Sequence, residues 1–457
     1  MGKASKVMEL FLHPEEIVPL GRMYLAAKKA KRLPSSPTWA FCYDMLNRVS
    51  RSFAIVIQQL PEELRNAVCV FYLVLRGLDT VEDDMALNTK KKLRMLETFC
   101  DDIYKRDFIV KDCGEGNYKR LMMEFNNVTE AFLSLGKVHQ DVIYDITKRM
   151  GLGMKEFIPK EVETVEDYNL YCHYVAGLVG IGLSKLFAAC KLESAKFATK
   201  MDALSNDMGL FLQKTNIIRD YLEDIEELPA PRMFWPKEIW GLYAEELDEF
   251  KDPENREEAV MCLNHMITNA LGHATKSLDY MNELEHKWVF RFCAIPQVMA
   301  IATLATCYNN GKVFEGVVKI RRGKTAKIVT ELNSYEDLVS AFYNYAGDIA
   351  AAVEPAVDPN AKDTLQACKD VQDKCVKMVK GANKSGALSS SNQSSFTSKL
   401  LLFMLSLGYA SYAFSLGGVR ESLGVSADAG DSTIDFIQKI IAVLCVIGLS
   451  IILFLQD

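Results

Sequence analysis

Apolar residues recur at three- and four-residue spacing through most of the chain, between about residues 8 and 378. This spacing is typical of amphipathic α-helices, and the alternation typical of strands is scarce. Glycine and proline fall mostly at the ends of the periodic segments, where helices stop. We therefore predict an all-α protein. The clearest predicted helices cover residues 61–85, 138–157, 165–192, 203–225, 256–284 and 296–309.

The apolar pattern changes after residue 380, which predicts three parts: a helical catalytic domain (1–380), a Ser-rich linker (381–399) and a hydrophobic tail (400–457). The tail holds two uncharged stretches, 400–416 and 440–455, each about 25 Å long as a helix, against the ~30 Å of a bilayer core. The second stretch is long enough to cross the bilayer if its helix starts at Phe436 and the Lys439 side chain reaches the membrane interface. We predict that it anchors the protein in a membrane. Insertion of the first stretch as well, and a buried core helix as the alternative for both, stay open.

Composition narrows the classes of function. The 457 residues carry a net charge of −7 and are 49% hydrophobic, which excludes a disordered chain. An acidic balance without a basic run argues against nucleic-acid binding. The twelve cysteines occur singly, without a CxxC pair, which favours reduced thiols in the cytosol. Early charges such as Glu9 leave no credible signal peptide, so any membrane contact is expected from the tail.

The most informative segment is a polar stripe on the first long predicted helix. Tyr72, Arg76, Asp79 and Asp83 follow i, i+4, i+7 and i+11, and therefore share one helix face, which Glu82 joins. Carboxylates stacked at this spacing repel one another unless a cation lies between them.

A second stripe lies 141 residues further on, in the predicted helix 203–225. Gln213, Asn216, Asp220 and Asp224 follow i, i+3, i+7 and i+11 in an otherwise apolar sequence. Two such stripes could face each other across a bundle core. Oxygen ligands of this kind suit Mg²⁺, which is commonly shared between carboxylates and substrate phosphates. We predict a metal–diphosphate site; the alternative is that either stripe is a solvated acidic face.

These motifs resemble the squalene synthase family, whose members join two farnesyl diphosphates head to head. The resemblance covers about residues 41–325. It rests on the strings VSRSFAIVIQQL (49–60), LDTVEDD (78–84), YCHYVAGLVG (171–180), LQKTNIIRDYLED (212–224), FCAIPQ (292–297) and VKIRRG (318–323).

The resemblance implies a single-domain isoprenoid-synthase helical bundle and assigns roles residue by residue. It implies that Mg²⁺ is held by Asp79, Glu82, Asp83, Asp220 and Asp224, and that Tyr171 takes part in the first half-reaction. The residues associated with NADPH phosphates are Arg51, Arg76, Arg219, Lys319 and Arg321, and guanidinium groups suit phosphate oxygens. Residues expected to line the substrate pocket are Phe53, Tyr72, Gln213, Asn216, Phe290 and Phe292.

Several of these assignments have a simpler alternative. Tyr171 lies near two other tyrosines and could serve packing alone. Phe290 and Phe292 could be core residues, and the segment containing Lys319 could be a solvated basic loop rather than a mobile flap.

We predict that the chain makes presqualene diphosphate from two farnesyl diphosphates and reduces it with NADPH to squalene, feeding sterol biosynthesis. The expected setting is the endoplasmic reticulum membrane, with a monomeric catalytic domain facing the cytosol. One alternative is a relative that stops at presqualene diphosphate or makes another C30 hydrocarbon. Another is a membrane-anchored scaffold without catalysis, which the intact acidic stripes disfavour.

Overall fold

The computed structural model describes residues 12–30, 33–50, 53–228 and 231–384, with side chains described up to Lys380. Within these ranges the chain folds into helices and turns, and no strand occurs, so the predicted all-α class is confirmed. In chain order the α-helices are α1 (Ile17–Ala30), α2 (Pro37–Val49), α3 (Phe53–Ile57), α4 (Glu62–Asp83), α5 (Thr89–Asp102), α6 (Gly116–Met123), α7 (Asn126–Ser134), α8 (Lys137–Phe157), α9 (Val165–Cys172), α10 (Leu178–Ala189), α11 (Ala195–Lys200), α12 (Asp202–Arg219), α13 (Tyr221–Ile225), α14 (Lys237–Trp240), α15 (Arg256–Leu271), α16 (Ala274–Asn282), α17 (Lys287–Cys307), α18 (Arg322–Glu331), α19 (Tyr335–Ala351) and α20 (Ala361–Lys384).

Short helical turns complete the described part of the chain. The 3₁₀ turns are Pro14–Glu16, Leu247–Lys251, Pro253–Asn255 and Gly311–Phe314, and a π-helical turn, His173–Gly177, joins α9 to α10. A π turn inserts an extra residue into the helix and is frequent at functional sites. This one follows Tyr171 by a single residue.

Helices α4, α8, α10, α12 and α17 contribute much of the core. The apolar positions of α4, among them Val68, Phe71 and Leu78, are fully or almost fully buried, as its periodicity predicts. Helix α9 starts at a capping box, in which the Thr164 side chain accepts from the Asp167 amide and the Asp167 carboxylate accepts in return from the Thr164 amide. Local signals thus set the helix starts, and burial of the apolar faces holds the bundle together.

Small residues let α12 approach the segment that runs from the π turn into α10. A Cβ added to Gly209 would lie 2.3 Å from the Ala176 carbonyl oxygen, and one added to Gly180 would lie 2.3 Å from the Ser205 carbonyl oxygen. No larger residue fits there without displacing the backbone. Small residues thus hold α12, which carries part of the second acidic stripe, close to the π turn and α10, the segment that follows Tyr171.

Three predicted helices differ from the observed ones. The helix predicted over 203–225 breaks at Asp220, whose backbone (φ −94°, ψ 14°) separates α12 from α13. The helix predicted over 256–284 breaks between α15 and α16. The helix predicted to start at Pro296 starts at Lys287, with Pro296 inside α17. Because most of α17 is buried, tertiary packing outweighs the preference of proline for helix starts.

Two helical stretches are long and apolar enough to cross a membrane, Val165–Ala189 and Lys287–Cys307. In their most apolar windows 44% and 78% of the residues are buried in the protein, and core helices pass the same test of length and composition. Contacts define one unit that ends at Lys380. Residues 381–384 of the predicted linker belong to α20. The rest of the predicted linker and the predicted anchor lie outside the described residues and stay predictions.

Candidate active site

Two adjoining cavities lie between α4, the α9–α10 segment and α12. The larger, of about 820 Å³, is lined mainly by polar residues and is called the polar cavity. The smaller, of about 260 Å³, is lined mainly by apolar residues and is called the apolar cavity. Arg76, Gln213 and Asn216 line both, so the cavities meet at these side chains. Both polar stripes predicted from the sequence contribute residues to this pair of cavities.

The first acidic cluster consists of Asp79, Glu82 and Asp83 at the end of α4. Asp83 lines the polar cavity and Asp79 lines the apolar cavity. Arg76 forms an ion pair with Asp79 at 3.4 Å and lies over the ring of Tyr72. Burial nevertheless raises the pKa of Asp79 to about 6, with repulsion from Asp83 adding to it.

Arg232, in the proline-rich loop after α13, connects this cluster to a distant part of the chain. Its guanidinium forms ion pairs with Glu82, at 3.0 Å, and with Asp83. Glu82 is 4% exposed, and burial raises its pKa despite the Arg232 charge. The Lys92 ammonium donates to the Glu82 carbonyl oxygen at 2.8 Å. Arg232 is thus the main counter-charge of two of the three carboxylates.

The second acidic cluster consists of Asp220 and Asp224. Both line the polar cavity, although the helix breaks between α12 and α13. Arg219 donates two hydrogen bonds to Asp220, at 2.7 and 2.5 Å, and so neutralises its own neighbour in the sequence. Burial and repulsion from Asp220 raise the pKa of Asp224 to about 7. Its carbonyl oxygen accepts from the Arg232 amide, which anchors the proline-rich loop to α13.

The last carboxylate of the LDTVEDD string is used differently. Asp84 accepts hydrogen bonds from the amides of Ala86 (2.9 Å) and Gly114 (2.7 Å) and so holds two loops at the end of α4. Gly114 has φ +76°, and a Cβ there would lie 2.6 Å from the Thr80 side chain. Glycine is the residue that suits this left-handed position. Asp84 thus shapes the rim of the polar cavity.

Tyr171 lies at the wall of the polar cavity, 4% exposed. Its ring stacks on the Phe234 ring, with the centroids 3.9 Å apart and an angle of 7° between the ring planes. The Arg232 guanidinium lies over the Phe234 ring. Burial and the neighbouring Glu82 raise the pKa of Tyr171 well above its usual value. The hydroxyl is therefore a neutral proton donor in this environment.

The basic residues predicted for the reductant have different surroundings in the described part of the chain. Arg76 lines both cavities, and its buried Nε has no hydrogen-bond partner. Arg219 is committed to Asp220, and Arg321 forms an ion pair with Glu16 at 2.8 Å. Lys319 is exposed and lines neither cavity. Arg51 lies outside the described residues.

Most residues predicted for the substrate pocket do line a cavity. Phe53, Tyr72 and Phe292 line the apolar cavity, and Gln213 and Asn216 line both cavities. Phe290 is buried on α17 and is not among the lining residues. Successive side chains of a helix point about 100° apart, and a spacing of two residues places Phe290 and Phe292 on different faces.

Sequence reasoning missed Arg232 and Phe234. The sequence contained one signal for the first: the carboxylates of the first acidic cluster require a counter-charge, and the proline-rich loop carries an arginine. Nothing in the spacing indicates which carboxylates it contacts, because 149 residues separate Arg232 from Asp83.

The chemistry of the carboxylates fits a divalent cation. Of the five carboxylates in the two acidic clusters, four line the cavities, and the fifth, Glu82, is paired with Arg232, which lines the polar cavity. Three of the five have pKa values raised by burial and mutual repulsion. A cation between them would relieve that repulsion, and carboxylate oxygens are the ligands that Mg²⁺ prefers.

Comparisons with known proteins identify the family of the chain. The squalene/phytoene synthase family model matches residues 46–324. "Squalene synthase LSS" of Botryococcus braunii is 51% identical over 100% of this chain and 99% of its own. "Squalene synthase 11" of Panax ginseng is 49% identical over 93% of this chain and 100% of its own. A solved complex of TcSQS with the ligand E5700 is 45% identical, covers 75% of this chain and 99% of that one, and superposes with a TM-score of 0.73.

The fold is that of an all-α isoprenoid synthase. The chain belongs to the squalene/phytoene synthase family. Its most similar relatives reported above are squalene synthases aligned along nearly their whole length. The resemblance and the fold predicted from the sequence are thereby confirmed.

Proposed function

We propose that this chain is a farnesyl-diphosphate farnesyltransferase that joins two farnesyl diphosphates into presqualene diphosphate and converts this intermediate to squalene. The observation that carries the proposal is the 51% identity to a squalene synthase over the whole chain. The two acidic clusters at one cavity supply the chemistry that such a reaction needs. Nothing favours the alternative of an enzyme that stops at presqualene diphosphate.

The polar and apolar parts of each substrate are expected to occupy different cavities. The diphosphate groups suit the polar cavity, where Arg76 and Arg232 offer guanidinium groups. The farnesyl chains suit the apolar cavity, where Phe53 and Phe292 supply aromatic surface. Aromatic faces stabilise cations, and an apolar wall keeps water from a carbocation. Gln213 and Asn216 stand where a diphosphate would join its chain.

Mg²⁺ is the metal that we propose, held by Asp79, Glu82 and Asp83 on one side and by Asp220 and Asp224 on the other. When bound, it would act as a Lewis acid that neutralises a departing diphosphate. For Glu82 and Asp83 to become ligands, the Arg232 guanidinium must turn away from them. Because a diphosphate offers it new acceptors, we infer that Arg232 exchanges carboxylate for phosphate oxygens when substrate binds.

Tyr171 is proposed to donate or accept the proton of the first half-reaction. Its neutral phenol, stacked on Phe234 beside the polar cavity, can hydrogen-bond a diphosphate oxygen, which would then help to accept the proton. The phenol alone is a weak base, so this role depends on the nearby diphosphate.

NADPH is proposed as the reductant from the resemblance and from the oxidation level of the product. Loss of diphosphate from presqualene diphosphate leaves a carbocation. Loss of a proton from that cation would give a hydrocarbon with one more double bond, whereas squalene results only if a hydride is added. No amino-acid side chain supplies a hydride, so a hydride-carrying cofactor is needed. Among the predicted basic residues, Arg76 lines both cavities, and we assign no step to the others.

Product analysis tests the proposed activity. Full-length protein in detergent, given farnesyl diphosphate, Mg²⁺ and NADPH, is expected to release squalene. Without NADPH it is expected to accumulate presqualene diphosphate. Accumulation of presqualene diphosphate despite excess NADPH would contradict the second half of the reaction. Absence of both products would contradict the whole proposal and favour a scaffold without catalysis.

The product also gives a reason for the proposed membrane setting. Squalene is insoluble in water, so an enzyme anchored in the endoplasmic reticulum membrane by its tail could release the product into lipid. The catalytic domain would then face the cytosol as a monomer. Deleting residues 385–457 is expected to yield soluble, active protein, whereas continued sedimentation with membranes would require another membrane-binding surface.

A further inference from the structure

Three potential metal ligands from three helices meet far from the acidic clusters. Glu63 lies in the first turn of α4, His139 in the first turn of α8, and Cys190 directly after α10. The His139 Nε2 lies 3.3 Å from the Cys190 Sγ and 3.7 Å from the Glu63 Oε1. All three ligand atoms lie within 4.8 Å of one another.

The two separations from the His139 Nε2 are close to those of a tetrahedral zinc site. Zn–S bonds of about 2.3 Å and Zn–N bonds of about 2.0–2.1 Å, at tetrahedral angles, place sulfur and nitrogen about 3.5 Å apart. Nitrogen and oxygen ligands of the same ion lie about 3.3 Å apart by the same reasoning. The three side chains therefore already converge, and one ion could lie between them after small side-chain rotations.

The backbone fixes the two softer ligands. His139 is 6% exposed and is held on α8 by the bond from its amide to the Gly136 carbonyl. Cys190 is followed by Lys191 in the left-handed region (φ 57°), and the Lys191 amide donates to the Ala188 carbonyl at 2.9 Å. This turn ends α10 and holds the thiol beside the imidazole. The Glu63 side chain is 67% exposed, so it can rotate toward an ion.

The local charge also suits a cation. In the described ranges no lysine or arginine forms an ion pair with Glu63, whose recorded ion-pair partner is His139. Burial and the Glu63 charge raise the pKa of the Cys190 thiol to about 12. This disfavours a free thiolate nucleophile, whereas a bound metal ion would displace the thiol proton and stabilise the thiolate.

We propose that Glu63, His139 and Cys190 bind one zinc-like transition-metal ion, with water completing the coordination. The site is separate from the active site, since Glu63 and Asp79 are sixteen residues apart on α4, about 24 Å along the helix. Binding would clamp the starts of α4 and α8 to the end of α10, and so stabilise the bundle from the side opposite the acidic clusters.

Cobalt spectroscopy tests the thiolate ligand directly. Full-length protein is titrated with Co²⁺ in excess Mg²⁺, which competes for the carboxylates proposed to bind metal in the active site. We expect a cysteine-to-cobalt charge-transfer band that Zn²⁺ abolishes at one equivalent. The band should disappear in Cys190→Ser and persist in the control Cys100→Ser. A missing band, or a band that Cys190→Ser retains, would overturn the proposal.

Zinc affinity and thermal stability provide the second readout. Zn²⁺ is expected to raise the unfolding temperature of the wild-type protein and of His265→Gln, and to leave that of His139→Gln unchanged. Glu63→Gln should weaken zinc binding by about 10-fold or more. Retained squalene synthesis by Cys190→Ser would show that the variant folds, so that a lost metal response could be assigned to the site. An equal thermal response in His139→Gln and wild type would contradict the assignment.

Discussion

The two acidic clusters look alike in the sequence and are neutralised in opposite ways. In the first cluster, Glu82 and Asp83 are paired with Arg232, which lies about 150 residues away along the chain. In the second cluster, Asp220 is paired with Arg219, its immediate neighbour. The first cluster therefore depends on the folded position of a proline-rich loop, while the second carries its own counter-charge.

This difference suggests different roles in the proposed reaction. A guanidinium held by a loop can leave its carboxylates when a diphosphate and a cation replace it. The Arg219 guanidinium donates two hydrogen bonds to the adjacent Asp220, so both side chains are expected to move together with the end of α12. The first cluster is therefore expected to respond more strongly to substrate and metal binding. The second is expected to be the more rigid half of the site.

The largest expected effect is the loss of turnover when either cluster loses a carboxylate. Asp79→Asn and Asp220→Asn should each lower the rate of squalene formation by about 10³-fold or more, equivalent to about 4 kcal/mol of transition-state stabilisation. The control is Glu223→Gln, an exposed carboxylate of α13 that lines neither cavity. A variant that keeps its rate within about tenfold of the wild type would show that its cluster does not assist ionisation.

The second expected effect separates the clusters by stability. Removing one partner of a buried ion pair costs about 3–5 kcal/mol, because the other charge stays buried. Arg232→Met should lower the free energy of unfolding by about that amount, measured by urea denaturation. The Arg219–Asp220 ion pair is partly exposed, so Arg219→Met should lower the free energy of unfolding by about 1 kcal/mol. The Arg48–Asp44 ion pair is more exposed, so Arg48→Met should lower it by less. Equal losses for Arg232 and Arg219 would remove the proposed distinction.

The third expected effect concerns a buried charge on the helix of the second cluster, and it appears only as the pH changes. Lys214 is 1% exposed, donates to Asn269 at 2.6 Å, and has its pKa lowered by burial to about 8. Between pH 8 and about 10.5 the unfolded chain retains a proton that the folded chain has lost. The free energy of unfolding therefore rises with pH across this window, by about 3 kcal/mol from this residue.

Comparison with Lys214→Met isolates that contribution. The difference in free energy of unfolding between the wild type and the variant should rise by about 3 kcal/mol, in favour of the wild type, between pH 8 and 10.5. Other lysines and tyrosines titrate in both proteins, so their effects cancel in the difference. Parallel pH curves would show that Lys214 keeps an ordinary pKa in the folded protein.

Much of the fold could be predicted because its signals are local. The periodicity that indicated helix 138–157 corresponds to Lys137–Phe157, and the one that indicated 61–85 corresponds to Glu62–Asp83. The start of α17 was wrong, since burial of that helix outweighs the local effect of Pro296. Helix breaks after Arg219 and Leu271 were also missed, because the apolar pattern continues through them.

The part of the candidate site that follows helix periodicity, the two acidic stripes, could be predicted from the sequence. Asp79, Asp83, Asp220 and Asp224 line one pair of cavities, as facing stripes would. Phe290 has the right chemistry but lies on a face that meets neither cavity. The Arg321 ion pair with Glu16 was also unforeseen, because 305 residues separate the two side chains.

The sequence by itself determined that this protein is helical, that it carries two acidic stripes and that it resembles squalene synthases, because these properties are encoded in residues a few positions apart. Only the tertiary structure decided which charge neutralises which carboxylate, that Tyr171 stacks on Phe234, and that Glu63, His139 and Cys190 converge. Such contacts depend on how whole helices pack. Burial also raises the pKa values of Asp79 and Asp224, an effect that no residue spacing shows.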